Sequence, residues 1–113
     1  DVSVSAMATE LGAYLHDVDI RIAKAWNETD LPMEERALGI QGRVTLVLQI
    51  RASGRVSYVQ ITASSGNKRL DEMAQVAIPR RFKAFPKDLE LQGLTHRVTL
   101  RYSNPLIMKS EGD

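Results

Sequence analysis

Apolar residues in the first quarter of the chain recur at steps of three and four. This spacing indicates an amphipathic helix with one buried stripe, formed by Leu11, Tyr14, Leu15, Val18, Ile22, Ala25 and Trp26. Thr9 is placed to cap the N terminus of this helix. The polar run that begins at Asn27 and leads to Pro32 ends it, because a residue before proline disfavours helical geometry.

A change to alternating apolar and polar positions marks the next two elements. Arg43 to Arg51 alternates, with Val44, Leu46, Leu48 and Ile50 on one face and Thr45, Val47 and Gln49 on the other, which predicts a half-buried strand. A turn at Ser53-Gly54 and a second β-branched run, Val56 to Ala63, predict its antiparallel partner. We expect Val59, Ile61 and Ala63 to face the core, and Met33 to Gly42 to be a connector.

The last third of the chain predicts one more helix and one more strand. Asn67 can cap a helix that ends near Pro79, with an apolar stripe of Leu70, Met73, Ala74, Ala77 and Ile78. Leu94 to Tyr102 alternates, with Thr99 and Arg101 outward. The order helix-strand-strand-helix-strand predicts an α+β two-layer sandwich, in which two helices cover one face of an antiparallel three-stranded sheet.

Length and composition are those of one globular domain. The chain has 113 residues, of which 43% are hydrophobic and 26% charged. We assign residues 1–8 to a linker remnant, 9–103 to the domain and 104–113 to a C-terminal tail. Because the chain starts at Asp1 rather than Met, we expect it to be part of a longer protein.

Candidate catalytic and metal-binding residues are few. The chain has no cysteine, and its two histidines, His16 and His96, fall on different elements, so we predict no metal site and no cofactor. Ser64-Ser65-Gly66 lacks the Gly-x-Ser-x-Gly context of a nucleophile elbow and is better explained as a turn that caps the second helix. The sequence therefore predicts a non-enzymatic function.

One basic run stands out between the second helix and the last strand. Its members are Arg80, Arg81, Lys83 and Lys87. They form either ordinary solvated surface or an electrostatic landing patch for an acidic partner or wall polymer. A net charge of +1, with Tyr58 and Tyr102 as the only strand aromatics, excludes nucleic acid as the main partner.

Several short motifs, in a shared order, cover the chain from Leu11 to Tyr102. They are "YLHDVDIRIAKAW", "GIQGRVTLVLQI", Gly54-Arg55-Val56, Ser64-Ser65-Gly66, Leu70-Asp71 and Phe85-Pro86. Together they resemble the C-terminal domain of the TonB/TolA energy-transducer family. The Tyr-Pro pair that many TonB members carry after the first helix is absent, and Trp26-Asn27 stands there instead.

The resemblance implies a binding mode. In the family the first strand lies in the middle of the sheet and the third at an edge, where it can accept an extended peptide as an added strand. The expected partner-binding residues are therefore Arg97, Val98, Thr99, Leu100, Arg101 and Tyr102. The expected partner is a peptide segment of an outer-membrane transporter or periplasmic protein, bound by a monomeric domain.

The resemblance also implies a cellular setting. We expect a periplasmic domain anchored to the inner membrane through a segment outside this chain, where separate motor proteins supply energy. An alternative is a passive structural or adaptor module of an envelope machine for secretion or motility. A membrane span and a Pro/Lys-rich stretch in the parent sequence would favour the transducer.

Overall fold

The computed structural model describes residues 2–103, with side chains described from Thr9 onward. Its elements are, in chain order, α1 Val2–Asn27, α2 Met33–Ala37, β1 Gly42–Arg51, β2 Val56–Ala63, α3 Lys68–Ala77 and β3 Gly93–Tyr102. The strands form one antiparallel sheet in the order β2-β1-β3. The predicted α+β fold is confirmed, while the predicted tail, 104–113, lies outside the described residues.

A single apolar core lies between the helices and one face of the sheet. Four side chains of β1 are fully buried in it: Val44, Leu46, Leu48 and Ile50. The helices contribute the stripes that their periodicity predicts, Tyr14, Val18, Ile22 and Trp26 from α1 and Leu70 and Ala74 from α3. Within the residues that the structure describes, no helix covers the other face of the sheet, and its side chains are mostly polar and partly or fully exposed, with Val47 an apolar exception.

The predicted start of α1 at Thr9 is wrong, because the helix begins at Val2. Val2 to Ala8 contains neither glycine nor proline, so nothing in the local sequence stops helical hydrogen bonding from continuing past Thr9. The boundary between the linker and the domain stays a prediction.

The connector predicted from Met33 onward contains a short helix, α2. Pro32 precedes its first residue, and Arg36 N–H donates to the Pro32 carbonyl at 3.1 Å. Two glutamates in its first turn suit the positive end of the helix dipole. α1 ends at Asn27, five residues before Pro32, so the proline does not end that helix directly; it precedes the first residue of α2, a helix that the sequence analysis did not predict.

Ala63 does not face the core as expected; it is exposed. The pairing of β2 with β1 shifts register between Thr45 and Leu46, so Ala63 pairs with Thr45 whereas Ile61 pairs with Leu46. The extra residue of such a bulge takes a side chain out of phase with its neighbours. Val59 and Ile61 do pack against the core, as predicted.

The Ser64-Ser65-Gly66 corner caps α3, as the sequence predicts. Asp71 accepts hydrogen bonds from the Ser64 hydroxyl at 2.5 Å and the Ser65 hydroxyl at 2.7 Å, and Asn67 Oδ1 accepts from Leu70 N–H at 3.0 Å. Burial raises the pKa of Asp71, but the serine hydrogen bonds outweigh it and hold that pKa below its ordinary value. The corner therefore has a structural role, and its serines already bond a carboxylate.

Candidate functional site

The free edge of β3 presents alternate residues to solvent. Arg51 N–H donates to Arg55 O, towards β2, so the odd-numbered residues of β1 bond to β2 and the even-numbered ones to β3. Even residues of β1 pair with even residues of β3 throughout the sheet, Val44 with Leu100 for example. The odd residues of β3 therefore direct their N–H and C=O groups away from the sheet: Thr95, Arg97, Thr99 and Arg101.

One of these outward groups is already bonded. The indole Nε1 of Trp26, at the end of α1, donates to the Arg101 carbonyl at 2.9 Å. Beside it, the Tyr102 hydroxyl donates to Asp30 Oδ1 at 2.5 Å. Burial, together with this hydrogen bond and the Asp30 charge, raises the pKa of Tyr102 to about 12. These two contacts close the C-terminal end of the edge, and the stretch from Thr95 to Thr99 stays open.

A groove of about 300 Å³ runs between α1 and this edge. Asp19, Ile22 and Ala23 line it from the helix, and residues 97–100 line it from β3. The His96 imidazole Nε2 lies 2.7 Å from Asp19 Oδ1 and joins the two walls. The α1 wall of the groove is apolar at Ile22 and Ala23 and carries the Asp19 carboxylate, while Val98 and Leu100 alternate with Arg97 and Thr99 along the β3 wall.

The solvent-exposed face of the sheet, called here the open face, is basic. None of the three strands contains an aspartate or glutamate, whereas four arginines alternate outward: Arg43, Arg51, Arg97 and Arg101. Arg43 lies directly opposite Arg101, and the two line a pocket of about 340 Å³. Among the residues that the structure describes, no carboxylate forms an ion pair with any of these four.

The other edge of the sheet is closed where β2 begins. Val56 N–H donates to Arg80 O at 3.0 Å and Phe82 N–H donates to Gly54 O at 2.8 Å, so the segment after α3 pairs with the strand. Phe82 is buried and holds that segment against the core. Two register shifts also bend β2.

The predicted site residues divide into two sets. Arg97, Thr99 and Arg101 offer backbone groups to the free edge, whereas Val98 lines the groove and Leu100 and Tyr102 are buried. Thr95 completes the outward row, although it was not among the expected partner-binding residues. The alternation that identifies Thr99 and Arg101 continues to Thr95, so that signal was present. The Trp26 contact had no sequence signal, because its acceptor is a backbone carbonyl.

The basic run Arg80, Arg81, Lys83 and Lys87 is exposed but does not meet this edge. Arg80 and Arg81 lie beside β2, at the opposite side of the sheet from β3. The chain here is anchored by backbone contacts, one of which is the Tyr14 hydroxyl donating to Lys83 O at 2.7 Å. The structure thus keeps the two candidate regions apart.

Two further features of the structure bear on the kind of site. Within residues 9–103, whose side chains are described, no three His, Asp or Glu side chains lie together as metal ligands would. No helix in the described part of the chain is long and apolar enough to cross a membrane.

A comparison with known families identifies the domain. The family model described as the Gram-negative bacterial TonB protein C-terminal region matches residues 27–103, more than half of the chain. The chain belongs to the TonB C-terminal domain family. No curated protein matches it.

Two solved structures have the same fold as this TonB domain. Both are solution NMR structures of the TonB C-terminal domain of Helicobacter pylori, each 20% identical to this chain. The longer segment has a TM-score of 0.63 and the match covers 80% of both chains. The shorter has a TM-score of 0.57, covering 81% of this chain and 95% of its own.

Membership in the family establishes the general role of the chain. It is a TonB-like, energy-transducing domain of the periplasm, from a family of interaction domains rather than enzymes. Domains of this family generally interact with outer-membrane transporters. A role of this kind requires a surface that grips a partner, and the free edge of β3 is a candidate for it.

Proposed function

We propose that this TonB domain captures an extended peptide by strand addition along β3, between Thr95 and Arg101. An outer-membrane transporter or a periplasmic protein supplies the peptide. The observation that carries the proposal is the row of outward backbone groups on a ten-residue strand whose pairing with β1 has no register shift. Such an edge offers a template for another strand.

Backbone pairing alone would hold such a peptide only weakly. Each hydrogen bond contributes roughly 0.5–1.5 kcal/mol net. Ordering each peptide residue costs roughly 1–2 kcal/mol. These contributions nearly cancel, so side-chain contacts must supply the surplus, and we expect a dissociation constant on the order of micromolar.

Weak binding is compatible with mechanical coupling. A pull along the strand direction loads all the backbone bonds together, so a complex that dissociates readily at equilibrium can still transmit force. In this proposal a segment outside this chain anchors the domain to the inner membrane, and separate motor proteins there supply the work. The partner is released after each pull.

Amide chemical-shift mapping tests the site of capture. The ¹⁵N-labelled domain is titrated with peptides from the periplasmic segments of outer-membrane transporters. We expect shifts along Thr95–Arg101 and few along β2. Shifts confined to Val59–Ala63, with β3 unchanged, would show that the other edge is the docking strand.

A proline substitution tests the backbone contact itself. Thr99→Pro removes one outward N–H but no hydrogen bond to β1, so the domain should stay folded while peptide affinity falls about tenfold or more. Thr99→Ala is the matched control: it keeps the N–H and loses the same contact from the Thr99 hydroxyl to the Thr45 hydroxyl, which is 3.1 Å long. Equal affinities for the two variants would exclude pairing at Thr99.

A further inference from the structure

The two sides of the β3 edge have opposite chemistry. On the open face, Arg97 and Arg101 project beside the edge, and Arg43 adds a third cation opposite Arg101. On the helix side, the edge adjoins the groove lined by Ile22, Ala23 and the Asp19 carboxylate. The edge therefore separates a basic surface from a groove whose helix wall is apolar at Ile22 and Ala23 and carries the Asp19 carboxylate, which His96 contacts.

A strand added at this edge presents alternate side chains to these two surfaces. Successive residues of any β-strand point to opposite faces, and this holds for parallel and antiparallel addition alike. Every second side chain of the partner would lie on the open face, beside the row Thr95, Arg97, Thr99 and Arg101, within reach of the two arginines. The side chains between them would lie over the groove.

We infer that the partner segment is a strand in which acidic side chains alternate with apolar ones, with the acids on the arginine face and the apolar residues over the groove. The inference rests on the proposed strand addition and specifies its ligand. A slip of one residue would exchange the two sets and bring an acid against Asp19. Charge on the two sides of the edge therefore selects the register as well as the partner.

The arrangement of Arg43 and Arg101 supports this inference. Like charges directly opposite each other on neighbouring strands destabilise a sheet. Neither guanidinium has a carboxylate partner among the residues described, although the pair lines a pocket open to solvent. A partner carboxylate seated there would relieve the repulsion and accept paired hydrogen bonds from arginine.

Two isomeric peptides test the inference. One contains Glu-Val-Glu-Val-Glu-Val and the other Glu-Glu-Glu-Val-Val-Val between identical flanks, so net charge and composition are equal. In every register the second peptide places at least one Glu over the groove. We expect the alternating peptide to bind about tenfold more tightly, by fluorescence anisotropy at fixed salt. Equal affinities would overturn the inference.

Variants of the domain show which of its residues cause the preference for the alternating peptide. Replacing Arg97 and Arg101 by Gln should remove most of the preference for the alternating peptide. Replacing Arg80 and Arg81 by Gln, the same change of charge at the opposite edge, should leave it intact. Asp19→Asn should improve binding of the blocked peptide more than that of the alternating one. If the two double variants lost the preference equally, the arginines would act only by long-range attraction of the acidic peptide, and the inference would be overturned.

Shift mapping with the same peptides separates the two proposals. If both isomers shift the β3 amides with equal affinity, strand addition stands and the inferred alternation fails. If neither isomer shifts β3 while transporter peptides shift β2, both the capture site and the inference fail.

Discussion

The two edges of this sheet differ in how far other segments of the chain cover their backbone groups. The β2 edge is sealed where the strand begins by the segment that follows α3, through Arg80 and Phe82, and two register shifts bend the strand. The pairing of β3 with β1 has no register shift, and Trp26 donates a hydrogen bond to one outward carbonyl of the β3 edge. An unprotected edge invites pairing with other chains, so proteins usually cover it. The protection given to β2 and largely withheld from β3 supports β3 as the docking strand.

The largest effect should come from breaking the seal on β2. Gly54 has φ +92°, and an added Cβ would lie 2.1 Å from the Phe82 carbonyl oxygen. We expect Gly54→Ala to lower the free energy of unfolding by about 1–3 kcal/mol in urea. Faster amide exchange at Val56 and Phe82 should accompany it, because their bonds form the seal.

Gly12→Ala is the control for Gly54→Ala. An added Cβ at Gly12, in α1, meets no atom within 4 Å, so the substitution should stabilise the domain by roughly 0.5–1 kcal/mol. If the Gly54→Ala domain kept its stability and its slow amide exchange at Phe82, the segment after α3 would not be what protects the β2 edge.

A smaller effect should come from opening the closed end of β3. Trp26→Phe keeps an aromatic ring in the core but removes the indole N–H, so we expect a loss of about 1 kcal/mol. The freed Arg101 carbonyl becomes available to an added strand. Peptide-induced amide shifts should then extend past Arg101. Shifts that end at Arg101 in wild type and variant alike would contradict the view that the Trp26 hydrogen bond limits how far the added strand extends.

The smallest effect should come from the ionisation of Tyr102. Its contribution to the free energy of unfolding is constant near neutral pH and changes only at alkaline pH. Its pKa is raised from an ordinary 10.0 to about 12, so the folded state holds the phenol proton more tightly than the unfolded chain does. Stability from this group is therefore complete below pH 10 and is lost as pH rises towards about 12. Unfolding in urea across this range checks it, and Tyr102→Phe should show a shallower decline.

The hydrophobic patterns predicted the architecture well because each depends only on the geometry of one helix or one strand. The alternation in β1 and β3 and the three- and four-residue steps in α1 and α3 identify most of the buried side chains, although Leu11 and Ala25 of the predicted α1 stripe are only partly buried. The errors fall where longer-range pairing decides. Ala63 is out of phase because of a bulge that depends on the β1 register, and α1 continues beyond the cap predicted at Thr9.

The candidate site was predictable only in part. The outward position of Arg97, Thr99 and Arg101 follows from alternation, and the resemblance to the TonB/TolA family implied that their strand lies at an edge. Nothing local indicated that α1 would lie along that edge, with Asp19 beside His96 and Trp26 bonded to a carbonyl of β3.

Local sequence patterns predicted the two long helices, the three strands and most of their buried faces, because these properties depend on residues a few positions apart. The composition of the strands, which contain arginine but no carboxylate, likewise makes the open face basic. Tertiary structure alone decided which edge is sealed and which is open. It also formed the groove between α1 and β3, whose walls lie more than seventy residues apart in the chain. The physical reason is that backbone hydrogen bonds and side-chain packing join distant segments without requiring particular residue types at the acceptor, and so leave little trace in the sequence.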